Sequence, residues 1–429
     1  MTEIAILGAG PAGAVVALGL RRLGYAVRVI SEWRRFAAVE GVSQRVLDGL
    51  RQAGLSRALA CAAAPSPRRV QWNGDGQSIN QECLLDRPQF DAAIREDLHA
   101  AGIEVLEARV LKVASADDGH LINIESGEPL RADFLVEARG RQAPLAGGRL
   151  RGPETLSLLN QWREEPGRPG SAVESLPDGW AWMARLEDGR CYWQITLDAR
   201  DLPPRDQLPD YCARRRSQSA LVRELFGEAA LQPASLHARS STAILFHEAS
   251  GPNWLRVGDA AMAVDPLSGN GIFQSLSSAL QAPAVINTML QRPERAELAR
   301  RFHQRRVEHL FLRFARTGRD FYALEQRWPE QPFWRDRCAW PDTEPMHAPA
   351  DFSQVRVERA PVIQGDLIEE AEVVVTADQP LGIWHLQGVE LAPIVKALRL
   401  GKLGRALASL PEPQRRMVQG WLLGQGYRP

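Results

Sequence analysis

Lysine is almost absent from this 429-residue sequence. Only Lys112, Lys396 and Lys402 are lysines among 52 basic residues. That bias reads as codon usage in a GC-rich genome. Lys+Arg and Asp+Glu are 52 each, so the formal net charge is zero. A global basic field for nucleic acid or an anionic membrane is therefore missing. Cysteine is sparse. Cys61, Cys83, Cys191, Cys212 and Cys338 form no CxxC pair, so neither a disulfide framework nor a metal site is expected. A reducing, cytoplasmic setting is the default. Long uncharged runs are also rare. Residues 4–20 make one, but it lacks a basic flank and contains Gly8, Gly10, Pro11 and Gly13. A packed strand–turn–helix explains it better than a signal peptide or membrane span. The 45% hydrophobic content over this length suits two or three soluble domains.

Ile4-Ala-Ile-Leu7 reads as a buried parallel strand. Gly8-Ala-Gly10-Pro11-Ala12-Gly13 follows, then an apolar helical run to Leu23 closed by Gly24. Residues 26–30 read as a second strand, ending at Ser31-Glu32. A glycine fingerprint alone is weak. With a strand before it, a helix after it and an acid closing the second strand, it specifies a dinucleotide. The glycines let the backbone turn tightly and approach a pyrophosphate. The helix N-terminus adds free N–H groups and partial positive charge. Gly8, Gly10, Pro11, Ala12 and Gly13 are thus cofactor-binding candidates, and Glu32 is a partner for the adenosine ribose. This segment does not separate FAD from NAD. No second fingerprint exists, so a resident nicotinamide domain is not encoded.

Two further stretches point to a flavin. Gly258-Asp259 follows a strand, and Asp265-Pro266-Leu267-Ser268-Gly269-Asn270-Gly271 opens a helix over 272–290. The combination resembles the GD motif of FAD monooxygenases of the aromatic-hydroxylase type. The resemblance implies an α/β fold: a Rossmann-like FAD-binding domain, an inserted β-sheet substrate domain and a small α/β C-terminal module. It implies FAD and O2, with electrons from a transient NAD(P)H visitor or an external reduced flavin supply. It places Gly258 and Asp259 on the ribityl chain, and Pro266, Gly269, Asn270, Gly271 and Ile272 beside the flavin ring. Aromatic hydroxylases usually carry an aspartate where this chain has Arg139. Residues 134–141 look more like a segment of flavin-dependent tryptophan halogenases, and Glu40-Gly41-Val42-Ser43 resembles a turn those proteins place near the flavin. By the same resemblance, Arg87 reaches the cofactor.

Halogenases need a lysine near the substrate, and the first 111 residues here have none. They also carry W-x-W-x-I-P; Trp180-Ala-Trp182-Met-Ala184 keeps the indoles and loses Ile-Pro. The chain better resembles flavoprotein monooxygenases that mature tryptophylquinone cofactors, nearest to those serving quinohemoprotein amine dehydrogenase. That implies hydroxylation of a tryptophan held in a protein precursor subunit, met alone or with its maturation enzyme, and no nucleic-acid or membrane partner. Trp180, Trp182, His237 and His247 are the substrate-side candidates; no catalytic acid or base is assigned. The alternatives are a small-molecule aromatic hydroxylase, a halogenase, and an isoprenoid reductase that shares the GD region.

The domain reading assigns 1–72, 84–147 and 252–330 to FAD binding, and 73–83 and 148–251 to the substrate domain. It takes 331–353 as a proline-rich linker and 354–429 as the C-terminal module. Within these, 180–186 and 190–197 alternate as a hairpin, and 211–226 reads as one helix. The module either covers the FAD domain or docks a partner.

Overall fold

The computed structural model describes residues 2–33, 36–144, 147–227, 235–269 and 271–428. They fall into two units: 1–283 with 307–343, and 284–306 with 344–429.

The first unit is built on a five-stranded parallel sheet. Its order is Trp254–Arg256, Phe134–Glu137, Glu3–Leu7, Ala26–Ser31, Val105–Glu107. Ile4 to Leu7 are all buried, as a strand covered on both faces requires. Ile4 pairs with Val27 on one side and Phe134 on the other. The chain thus leaves the central strand in one direction and returns on its far side. That reversal opens a crevice at the carboxyl ends of the strands, where ligands bind in open α/β sheets.

An eight-stranded sheet supplies the second layer. Its order is Ser235–Ser240, Thr155–Arg163, Arg190–Asp198, Gly179–Arg185, Gly170–Leu176, Ser66–Trp72, Asp75–Asp86, Val39–Val42. Residues 66–72 therefore pair into this sheet, although the sequence reading gave them to FAD binding. One sheet face packs Met183, Trp193 and Ile195 under two helices, Leu208–Gln218 and Ala220–Phe226. These replace the single helix expected over 211–226. Ser219 breaks the run: it is extended, and its hydroxyl accepts from Val222 N–H to cap the second helix. The opposite face carries Trp180, Trp182 and Gln194, because side chains two apart on a strand share a face.

Glu174 lies near Ser219, only 5% exposed, and its Oε1 has no partner among the described residues. Burial pushes its carboxyl up to about 7, against an opposing hydrogen bond from Ser219. A folded pKa above the unfolded 4.5 means that stability is full below 4.5 and falls as pH rises toward about 7. Glu174→Gln removes that penalty. It should stabilise the protein by about 3 kcal/mol near pH ~8 and hardly at all near pH ~4.5, read by thermal unfolding at both. Equal shifts at the two pH values would contradict this.

Residues 331–353 are not simply a linker. Pro332–Cys338 is a helix, and its Phe333 and Trp334 are buried against Tyr322 and Trp72 in the first unit. In the second unit, strands Arg356–Gln364, Leu367–Thr376 and Gln379–Ile383 form an antiparallel sheet. Helix Leu391–Arg399 packs Leu391 and Val395 on Val374. Among the described residues, no helix is long and apolar enough to cross a membrane.

Candidate cofactor cleft and substrate face

Three glycine loops interlock at the carboxyl ends of the parallel strands. Gly8 has φ +104°, and a Cβ there would lie 2.5 Å from Ala138 O. A Cβ on Gly13 would lie 1.9 Å from Gly8 O and 3.2 Å from Ala138 Cβ. Gly258, at φ +59°, would meet Ala12 Cβ at 2.8 Å. The fingerprint, the 138–140 turn and the GD motif therefore share one floor. Gly10 differs: its φ of −67° suits any residue, and a Cβ there would meet nothing within 4 Å among the described residues. Packing gives no reason for glycine at that position, but a ligand approaching the backbone does. Helix Pro11–Arg22 starts there with no side-chain cap and no acid in its first turn. Its first N–H groups are thus open to an anion. Glu32 follows the second strand, half-buried. This arrangement fits a dinucleotide.

Asp259 caps the GD strand's end. Its Oδ1 accepts from Gln274 Nε2 at 2.6 Å, and its Oδ2 lies 3.6 Å from Arg141 Nε. Burial pushes its carboxyl up, and Arg141 opposes this. Arg141 also donates to Thr242 O at 2.6 Å and Val264 O at 3.1 Å, stitching the turn to two neighbouring segments. Among the described residues, Gln274 Oε1 is buried without a partner. Sequence reading gave no role to Arg141 or Gln274. Arg139, in the position where hydroxylases carry aspartate, pairs with Glu137 through Nε at 2.9 Å.

Glu40 and Arg87 meet because strand Val39–Val42 pairs with the end of Asp75–Asp86, Glu40 opposite Leu85. Arg87 donates to Glu40 Oε1 at 2.6 Å and, through Nη2, to Asp91 Oδ1 at 2.8 Å. Burial disfavours its charge, but Glu40 and Asp91 outweigh that and hold it above the usual arginine range. Arg239, from the eight-stranded sheet, faces the same charges. It donates to Gln194 Oε1 at 2.8 Å, and Glu40, Arg87, Arg141 and Asp259 are its charged neighbours. Nothing local in the sequence marks it.

The turn after Asp265 places Pro266 in a short helical turn, gives Gly269 φ +64° and leaves space at Gly271; Ile272 is buried. Asn270 lies outside the described residues. Trp180 and Trp182 share a face, as their spacing requires; Trp180 is buried. His237 sits within strand Ser235–Ser240, its ring stacked on Phe36 at 5.2 Å. His247 stands apart from His237. Residues 240–246 do not form one strand: Ile244–Phe246 joins a different, three-stranded sheet. His247 follows it, exposed, with its N–H on Gly148 O at 3.0 Å. It lies outside the eight-stranded sheet that carries Trp180, Trp182 and His237.

A dinucleotide cleft at a sheet switch point, with Arg239 of an aromatic and polar sheet face among its charges, is the arrangement of a dinucleotide-dependent enzyme. The chain belongs to the FAD binding domain family FAD_binding_3, whose model matches residues 1–310. It is similar over the full length of both chains to the solved structure of the peptidyl tryptophan dihydroxylase QhpG, essential for tryptophylquinone cofactor biogenesis. That similarity is 66% identity with a TM-score of 0.91. A tryptophan 2-halogenase of Chondromyces crocatus is 23% identical over 78% of this chain and 70% of its own length. The flavin-dependent halogenase CmlS shares the fold, at 17% identity and TM-score 0.80 over 99% of this chain and 95% of its own.

Proposed function

We infer that the chain is an FAD-dependent monooxygenase that dihydroxylates a tryptophan within a protein precursor during tryptophylquinone biogenesis. The observation that carries this is the 66% identity, end to end, with a peptidyl tryptophan dihydroxylase. FAD, when bound, supplies the two-electron chemistry that activates O2. The chain's own residues do the rest. The glycine loops and the helix start at Gly10 receive the dinucleotide, Asp259 its ribityl hydroxyls, and Glu32 its ribose. Arg87 and Arg239 set the charge of the cleft. The sheet face with Trp182 and Gln194 orients the indole and limits water. Electrons come from a visiting NAD(P)H or an external reduced flavin, and the setting is cytoplasmic, consistent with five free cysteines.

Oxygenation is favoured over halogenation by the lysines. Lys112, the one lysine of the first unit, is exposed on strand Val110–Ala116, which belongs to a three-stranded sheet separate from the one that carries Trp182 and Gln194. The test compares substrates. A precursor subunit should be oxygenated efficiently, free tryptophan negligibly, and added chloride or bromide should leave no halogen on the product. Efficient turnover of free tryptophan would refute the protein-substrate reading.

A further inference from the structure

Three buried groups form one hydrogen-bonded line in the first unit. Trp180, 3% exposed, lies on strand Gly179–Arg185, and its Nε1–H donates to Tyr322 Oη at 3.1 Å. Tyr322, 2% exposed, donates to Asp265 Oδ1 and Oδ2 at 3.0 and 3.2 Å. A phenol has one proton. Accepting from the indole and donating to the carboxylate therefore gives the line a direction. Asp265 Oδ1 also accepts from Leu267 N–H at 2.9 Å, which folds the turn ahead of helix Gly271–Gln291. The line starts on the sheet face with the tryptophan pair. It ends on the turn assigned to the flavin side.

Its surroundings suit a positional role. Burial pushes the Asp265 carboxyl and the Tyr322 hydroxyl up, and the buried Arg337 guanidinium draws both down. The Tyr322 ring is held independently of its hydroxyl, edge-on to Phe333 at 5.7 Å and to Trp334 at 5.9 Å. Removing only the oxygen should therefore leave the ring in place. It would strip a partner from the Trp180 N–H and from Asp265 together.

We propose that Tyr322 is a positioning residue for oxygenation, tying the flavin-side turn to the sheet face that receives the substrate indole. The inference rests on the monooxygenase reading above. In the coupled reaction, O2 takes two electrons and two protons from the reduced cofactor and its surroundings. One oxygen atom enters the indole C–H bond and the other leaves as water. With the two sides out of register, the same two electrons and two protons convert O2 to hydrogen peroxide, and the indole is unchanged. Tyr322 controls the partition between these outcomes without touching the reacting atoms.

Tyr322→Phe holoenzyme tests this by two readouts. FAD content should persist while the visible flavin spectrum shifts in the absence of any substrate. With precursor present, the fraction of consumed O2 released as peroxide should rise several-fold. Trp180→Phe, which leaves the Tyr322–Asp265 bond in place, should move both readouts in the same direction, and it decides the case should Tyr322→Phe not fold. Wild-type spectra and coupling in both variants would overturn the proposal. Failure of the wild-type enzyme to oxygenate any precursor would instead refute the substrate reading, while the spectral shift would still report on Tyr322.

Discussion

Gly13→Val is expected to yield a colourless protein with no bound FAD, and much of it insoluble. The added Cβ would lie 1.9 Å from Gly8 O and 3.0 Å from Gly8 C. Both are backbone atoms, so no side-chain rotation relieves the overlap. Relief requires the helix Pro11–Arg22 to move off the first strand, which breaks the shared floor with Ala138 and Gly258 as well. A cost above about 4 kcal/mol is expected, in the range reserved for such overpacking and backbone effects. Gly10→Val is the informative partner. Its Cβ would meet nothing within 4 Å among the described residues, and its φ of −67° is ordinary. That variant should fold with wild-type circular dichroism yet bind FAD at least about 10-fold more weakly, a loss of about 1.4 kcal/mol. Full FAD occupancy in the Gly10 variant would remove the dinucleotide from this loop.

Arg87→Met should cost about 3 kcal/mol of stability and most of the bound flavin. The guanidinium serves Glu40 and Asp91 at once, and deleting one side of a buried ion cluster leaves charge facing charge. The low end of the usual range applies because Glu40 remains 28% exposed and keeps some water. Arg87→Lys should recover part of the stability, since a point charge cannot reproduce two separate donors. Denaturant unfolding of the apo protein separates the two effects: an unchanged midpoint with lost FAD would make Arg87 a ligand for the cofactor alone.

The fingerprint and the GD motif were legible because each is a run of neighbouring residues whose backbone needs are local. Gly8 and Gly258 do have positive φ, as such turns demand. The tryptophan pair was legible because a strand's period of two needs no tertiary information. What the sequence withheld lies in pairings between distant segments. Arg239 reaches the charge cluster only because its strand pairs antiparallel with Thr155–Arg163. Tyr322 meets Trp180 across 142 residues of chain. His237 and His247 flank one short stretch of sequence, yet 235–240 and 244–246 enter separate sheets, which only the long-range pairing decides. The helix Pro332–Cys338 was missed because its proline sits in the first turn, where proline starts a helix rather than ending one.

One tryptophan of a precursor protein should gain two oxygen atoms, one from each of two O2 molecules. Mass spectrometry of the precursor after turnover under heavy-isotope dioxygen measures this directly. The target tryptophan should gain two oxygen atoms, both labelled, in a reaction that needs FAD and reductant. A precursor that stays unmodified, gains unlabelled oxygen from water, or carries a halogen would contradict it.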